Sequence, residues 1–226
     1  MVRHEVVQLS DHSRRRRGDG RPRPVEFDFW QPRAGPEPPP LDLSFALDHL
    51  LERGRFGLVG AAGFALGGYA CAALLGVRID VPRFAALLAG DLRLAAVPWP
   101  SGDGNRAGVP VPESVAADWI AAAGRDHTDD RVQAGFLLAP AIGPLLDPDS
   151  LRRVDRPVAV RWGGADTAVV PEQNAVRYAT LIPEADGRSV GAGIGHAEFT
   201  DGYRSGRAMR ALVGSDSATF FQAHLG

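Results

Sequence analysis

Lysine is absent from this 226-residue chain, so all 25 basic residues are arginine. That excludes catalysis through a lysine amine, Schiff bases included. The arginine preference itself reads as a compositional bias. Cysteine occurs once, at Cys71, so no intrachain disulfide can form. Charge is nearly balanced, at −2, and supplies no field that would favour nucleic acid or an anionic membrane. No apolar run is long enough to span a bilayer: Phe64 to Leu75 is short and broken by glycine. No apolar segment of signal-peptide type follows Met1, so a reducing cytoplasm is the expected location. His4, His12, His49, His127 and His224 show no metal-ligand spacing, and no phosphate loop or paired catalytic carboxylates stand out. No metal or cofactor is expected.

A further absence is local. An apolar stretch from Phe56 to Ala62 reads as a strand, and Leu66 to Leu75 as a helix. Between them lies Gly63-Phe64-Ala65-Leu66-Gly67, the frame of a Gly-x-Ser-x-Gly nucleophile elbow with alanine in place of the serine. Such a turn needs small residues where helix and strand approach, and Gly63, Gly67 and Gly68 supply them. The first helical N–H, that of Leu66, sits at the positive end of the helix dipole and suits an oxyanion donor. The same residues also suit an ordinary strand–helix junction.

Downstream, Val158 to Trp162 alternates as a short strand and runs into Gly163-Gly164-Ala165-Asp166. Asp166 suits a triad acid, or a cap for a helix predicted over Pro171 to Ile182. Arg188 to Val190 is a weak strand, followed by Gly191-Ala192-Gly193-Ile194-Gly195-His196. His196 suits a base brought over the elbow by a glycine-rich loop, or a surface-loop histidine. The chain order of elbow, Asp and His is one that serine hydrolases use.

Together, Gly63 to Tyr69, Leu138-Ala139-Pro140-Ala141, Gly163 to Pro171 and Gly193-Ile194-Gly195-His196 resemble the α/β-hydrolase superfamily. The likeness is to its dienelactone-hydrolase-like and platelet-activating-factor-acetylhydrolase-like bacterial esterases. It covers about Leu41 to Thr200. It implies an α/β fold, a mostly parallel sheet with helices on both faces, and a Ser–His–Asp site for ester or related acyl substrates. In this chain Ala65 would hold the nucleophile position, Asp166 the acid, His196 the base and Leu66 an oxyanion donor. No His-Gly oxyanion loop follows Trp30, so a second donor has no candidate and the sheet is expected to be shortened.

One domain over residues 1–226 is expected, its hydrophobic content of 45% being enough for a core. Residues 1–40 would hold N-terminal strands and a proline-rich connector, and 94–112 a possible lid. Phe64 and Trp99 are the candidate substrate walls; a plain surface loop around Trp99 is the alternative. The chain therefore reads as a degenerate esterase relative with little or no serine-hydrolase activity, acting on or binding a small molecule. The alternatives are a nonhydrolytic epimerase, isomerase or cyclase using His196 as acid and base, or a ligand-binding scaffold. A homo-oligomer built through an unpaired sheet edge is a further expectation.

Overall fold

Strands β3 (Val59–Phe64), β4 (Val132–Leu138), β5 (Val158–Trp162) and β6 (Asp186–Ser189) form a four-stranded sheet in that order. Every neighbouring pair is parallel. The computed structural model describes residues 4–15, 22–30, 39–54, 56–89, 91, 113–200 and 206–226. The chain divides into two compact units, Met1–Pro36 and Glu37–Gly226, with the boundary in the proline-rich connector. In the smaller unit, β1 (His4–Arg15) and β2 (Pro22–Trp30) pair antiparallel, from His4 against Trp30 to Asp11 against Arg23, with a register shift before Arg15.

Parallel neighbours cannot be joined by tight turns, so the larger unit is built from crossovers. Its helices are α1 (Pro39–Arg53), α2 (Leu66–Leu74), α3 (Val81–Ala89), α4 (Glu113–Ala123), α5 (Pro148–Arg152), α6 (Ala175–Leu181) and α7 (Arg207–Leu225). The two-residue period of the strands divides the core between the two faces of the sheet. Leu137, Val158 and Val160 pack with Tyr69, Cys71 and Tyr178 of α2 and α6. Ala134, Phe136 and Ala159 pack with Met209, Val213 and Phe220 of α7. The fold is thus α/β, with a parallel sheet and helices on both faces. Strand β4 is buried on both sides, which is why its sequence is almost uniformly apolar.

The α7 face also contains a charge. Arg161 on β5 is wholly buried. Its Nε donates to Asp216 Oδ2 of α7 at 2.5 Å, and its Nη2 to Asp186 Oδ2 of β6 at 2.6 Å. Its guanidinium also stands 5.3 Å over the ring of Phe136. A guanidinium can be kept in such a place only when its donors are matched. Here it ties the C-terminal helix to the last two strands.

Three expected boundaries move; the strand expected over Arg188 to Val190 runs Asp186–Ser189, where the pairing with β5 lies. β3 starts at Val59, and Phe56 and Leu58 ahead of it are exposed; pairing with β4, not the apolar run, sets where the strand begins. The helix expected from Pro171 begins at Ala175. Residues 171–174 form a turn, and Asn174 has φ −119° and ψ −96°. Its buried side-chain oxygen accepts the N–H of Gly143 at 2.9 Å instead of serving the helix. Among the described residues, no helix is long and apolar enough to cross a membrane.

Candidate active site

Gly63 explains why the chain can turn sharply between β3 and α2. A Cβ there would collide with the carbonyl of Gly67 and lie 2.9 Å from Cys71 Sγ. Gly67 differs from expectation: a Cβ at that position would meet nothing within 4 Å. It is the backbone of residue 67, not its lack of a side chain, that crowds the strand. Gly68 is closely approached by Pro140, 3.0 Å from the place of a Cβ.

Ala65 sits between them with φ 52° and ψ −116°. Residues with a Cβ rarely adopt this conformation, and it costs about 1–3 kcal/mol unless its surroundings hold it. Four backbone hydrogen bonds do so. Ala65 N–H donates to Leu138 at 2.9 Å, and its carbonyl accepts from Gly68 at 3.0 Å, Tyr69 at 3.3 Å and Ala141 at 3.0 Å. Ala141 is held in turn by the buried hydroxyl of Tyr178, which donates to its carbonyl at 2.9 Å. The turn is therefore braced from β4 and α6 without help from its own side chain. The Leu66 N–H has no acceptor among the described residues. Cys71 is buried beneath the turn, and burial pushes its thiol up to about 12. It stays a protonated, apolar filler.

The loops after β5 and β6 are joined to each other. Val190 N–H donates to Trp162, Gly164 to Gly191 and Ala165 to Ile194, at 2.8, 2.8 and 2.9 Å. A Cβ on Gly163 would strike the Ile194 carbonyl, so this close approach needs the glycine. The joined loops place Asp166 and His196 side by side, with Asp166 Oδ2 2.7 Å from His196 Nδ1. The other carboxylate oxygen accepts the N–H groups of Ala168 at 3.0 Å and Val169 at 2.7 Å. Asp166 is buried, and the imidazole is about one-fifth exposed. A carboxylate accepting at Nδ1 fixes the tautomer with the proton on that nitrogen. Nε2 then carries the lone pair, with no protein partner among the described residues.

Phe64, the last residue of β3, brings the two halves together. Its ring centroid lies 4.5 Å from that of His196 and 5.6 Å from that of Phe199. The structure thus gathers Phe64, Asp166 and His196 at the C-terminal ends of β3 and β5, with Ala65 and Leu66 next in the chain. Trp99 and the whole 94–112 segment lie outside the described residues. Phe199 and Glu198 were not singled out from sequence. Glu198 accepts the Gly195 N–H at 3.2 Å and so steadies the loop carrying His196. Their only sequence signal is proximity, two and three residues past the histidine. Among the described residues, no group of three His, Cys, Asp or Glu side chains is placed to hold a metal ion.

No family model matches this chain, and no curated protein matches it. Among solved structures it is similar to the crystal structure of bromoperoxidase from Bacillus anthracis, at 17% identity. That alignment covers 85% of this chain and 76% of the other, with a TM-score of 0.42.

Proposed function

We propose that this protein is a degenerate member of the α/β-hydrolase superfamily, related to carboxylic-ester hydrolases and retaining the acid–base half of their site. The observation that supports this reading most is the Ala65 backbone at φ 52° and ψ −116°, beside an Asp166–His196 pair at 2.7 Å. A strand-to-helix turn of that shape projects one side chain outward, and the Asp–His pair prepares Nε2 to take a proton. The alanine methyl has no proton to give and no oxygen with which to form an acyl intermediate. Covalent turnover is therefore absent in the chain as it stands. His196 retains the capacity to deprotonate a water, with Leu66 N–H as the one oxyanion donor the turn offers.

The test is Ala65→Ser. The restored hydroxyl is expected to react with a fluorophosphonate probe, and the labelling to disappear in Ala65→Ser/His196→Ala. A folded Ala65→Ser protein that takes no label, while a working esterase does so under the same conditions, would sink the reading.

A second reading rests on the unpartnered Nε2 of an imidazole about one-fifth exposed. In it, His196 shuttles protons on a bound small molecule without any acyl step, as an isomerase or epimerase does. Slow hydrolysis of p-nitrophenyl acetate that is lost in His196→Ala would favour water activation over this second reading.

A further inference from the structure

Away from the Asp166–His196 pair, Arg83 and Arg177 have no carboxylate ion-pair partner among the described residues and share one turn. Arg83, exposed in the first turn of α3, donates from Nε to the carbonyl of Pro144 at 2.8 Å. Arg177, half-buried on α6, donates from Nη2 to the carbonyl of Leu146 at 3.3 Å. Both guanidinium groups therefore converge on a single short turn, their acceptors separated by one residue. Neither makes an ion pair among the described residues, and Arg177 Nε is buried with no acceptor at all.

The neighbourhood adds positive charge. Arg152 on α5 is close enough, with Arg83, to act on Arg177. Burial first, then these two like charges, hold the Arg177 guanidinium below the ordinary arginine range, and Asp80 offsets them in part. Arg177 nonetheless stays charged near neutral pH. Arg152 has its own carboxylate, Asp149, at 2.7 Å in a solvent-exposed pair.

A second arginine-lined feature provides a contrast. A cavity of about 250 Å³ is lined by Arg78, Arg153 and Arg156 among others. There each guanidinium already has a carboxylate: Asp126, Asp147 and Asp130, respectively. That cavity is neutralised from within. The Arg83–Arg177 cluster is not, and a protein does not gather unpaired guanidinium groups around a buried donor without cost.

We propose that Arg83 of α3 and Arg177 of α6 bind the phosphate group of a small molecule. The guanidinium fork offers parallel N–H groups that match a tetrahedral oxyanion, and each carbonyl contact holds one edge so that the remaining N–H groups are oriented. Asp80 lies close by, its Oδ1 accepting the backbone N–H of Arg83 at 3.0 Å, but it forms no ion pair with either guanidinium, and the ligand supplies the direct anionic contact. The site is separate from the Asp166–His196 pair, so its failure would leave the hydrolase reading untouched.

Isothermal titration with inorganic phosphate, against chloride at matched ionic strength, tests it. Saturable binding is expected, weakened about tenfold in Arg83→Met and in Arg177→Met. Arg83 is exposed, so its replacement leaves the fold intact, as circular dichroism will show. Arg207→Met, at an exposed position on α7, is expected to bind like the parent. Phenyl phosphate should bind at least as well as inorganic phosphate, and acetate more weakly. Four outcomes would overturn the proposal: no saturable heat, undiminished affinity in Arg83→Met, equal weakening in Arg207→Met, or acetate binding as tightly as phosphate. Binding to phosphatidic acid vesicles without binding to soluble phosphate would overturn the small-molecule assignment.

Discussion

The ring of Phe64 lies against the imidazole of His196, centroid to centroid 4.5 Å, with the planes inclined at 30°. The last residue of one strand thus packs on a side chain delivered by a loop far along the sequence. The ring limits where the imidazole can swing while Asp166 fixes its Nδ1. Phe64→Leu removes the ring and some volume at a half-buried position and should cost about 1–2 kcal/mol. The Nδ1 proton shared with Asp166 is then expected to exchange faster with solvent, as read by proton NMR. Asp166→Asn should abolish that resonance and cost about 1–3 kcal/mol, because one oxygen must still accept from Ala168 and Val169 while an amide nitrogen takes the place of the other beside Nδ1. A Phe64→Leu protein with unchanged exchange would show that the ring does not restrain the histidine.

The two motif glycines should respond in opposite ways. Gly63→Ala places a methyl into the Gly67 carbonyl and against Cys71, and should destabilise by more than about 3 kcal/mol. Gly67→Ala adds a methyl in open space on a helix and should stabilise by about 0.5–1 kcal/mol. Urea midpoints at constant slope distinguish these outcomes. Equal losses at both positions would contradict the packing described at the turn.

Removing the buried Arg161 from its partly exposed carboxylate partners should be costly. Arg161→Met leaves Asp216, partly exposed, with Arg188 as its one ion-pair partner among the described residues, and should cost about 1–3 kcal/mol in thermal or urea unfolding. Arg161→Met/Asp216→Leu should recover part of that loss, because an apolar pair replaces a stranded charge. A double variant no better than the sum of its singles would show that the pair is not coupled.

Acid should weaken the fold in two stages. Burial holds the His127 imidazole below its ordinary 6.5, against the smaller pull of Asp126. Protonation then favours the unfolded chain, so stability is full above pH 6.5 and falls as pH drops below it. The Asp129 carboxyl is held down to about 2, chiefly by hydrogen bonds from Arg131, with Ser44 adding another. Its contribution is present above the unfolded value near 4 and lost as pH falls through about 2. In urea midpoints measured against pH, His127→Gln should flatten the first stage and Asp129→Asn the second. Unchanged profiles would contradict these assignments.

Much of the turn, Asp166 and His196 could be read from sequence because their chemistry is local. A glycine two residues before Ala65, an aspartate just past a strand and a histidine after a glycine run each carry their own signal. The parallel α/β class was legible from the apolar runs of β3, β4 and β5 alternating with helical periods; β6, Asp186–Ser189, is polar and exposed and shows no such run. What sequence concealed was set by distant partners. The start of β3 depends on its pairing with β4. The delayed start of α6 depends on Asn174 turning to Gly143. Helix α5, at five residues, is too short to show a period. Gly67 resembled Gly63 in the motif, yet only the path of the backbone distinguishes them. Phe199 gave no periodic cue, and only the folded loop brings its ring near Phe64.

The contorted peptide at Ala65 also has an evolutionary consequence. Alanine and serine codons of the GCN and TCN series differ by one base. The neighbours that keep this residue in its unusual conformation act on main-chain atoms alone. A single nucleotide change would therefore mount an oxygen on a support that is already built. The four main-chain bonds at residue 65 would be the same for either residue, so the backbone demand of the turn does not by itself choose between them.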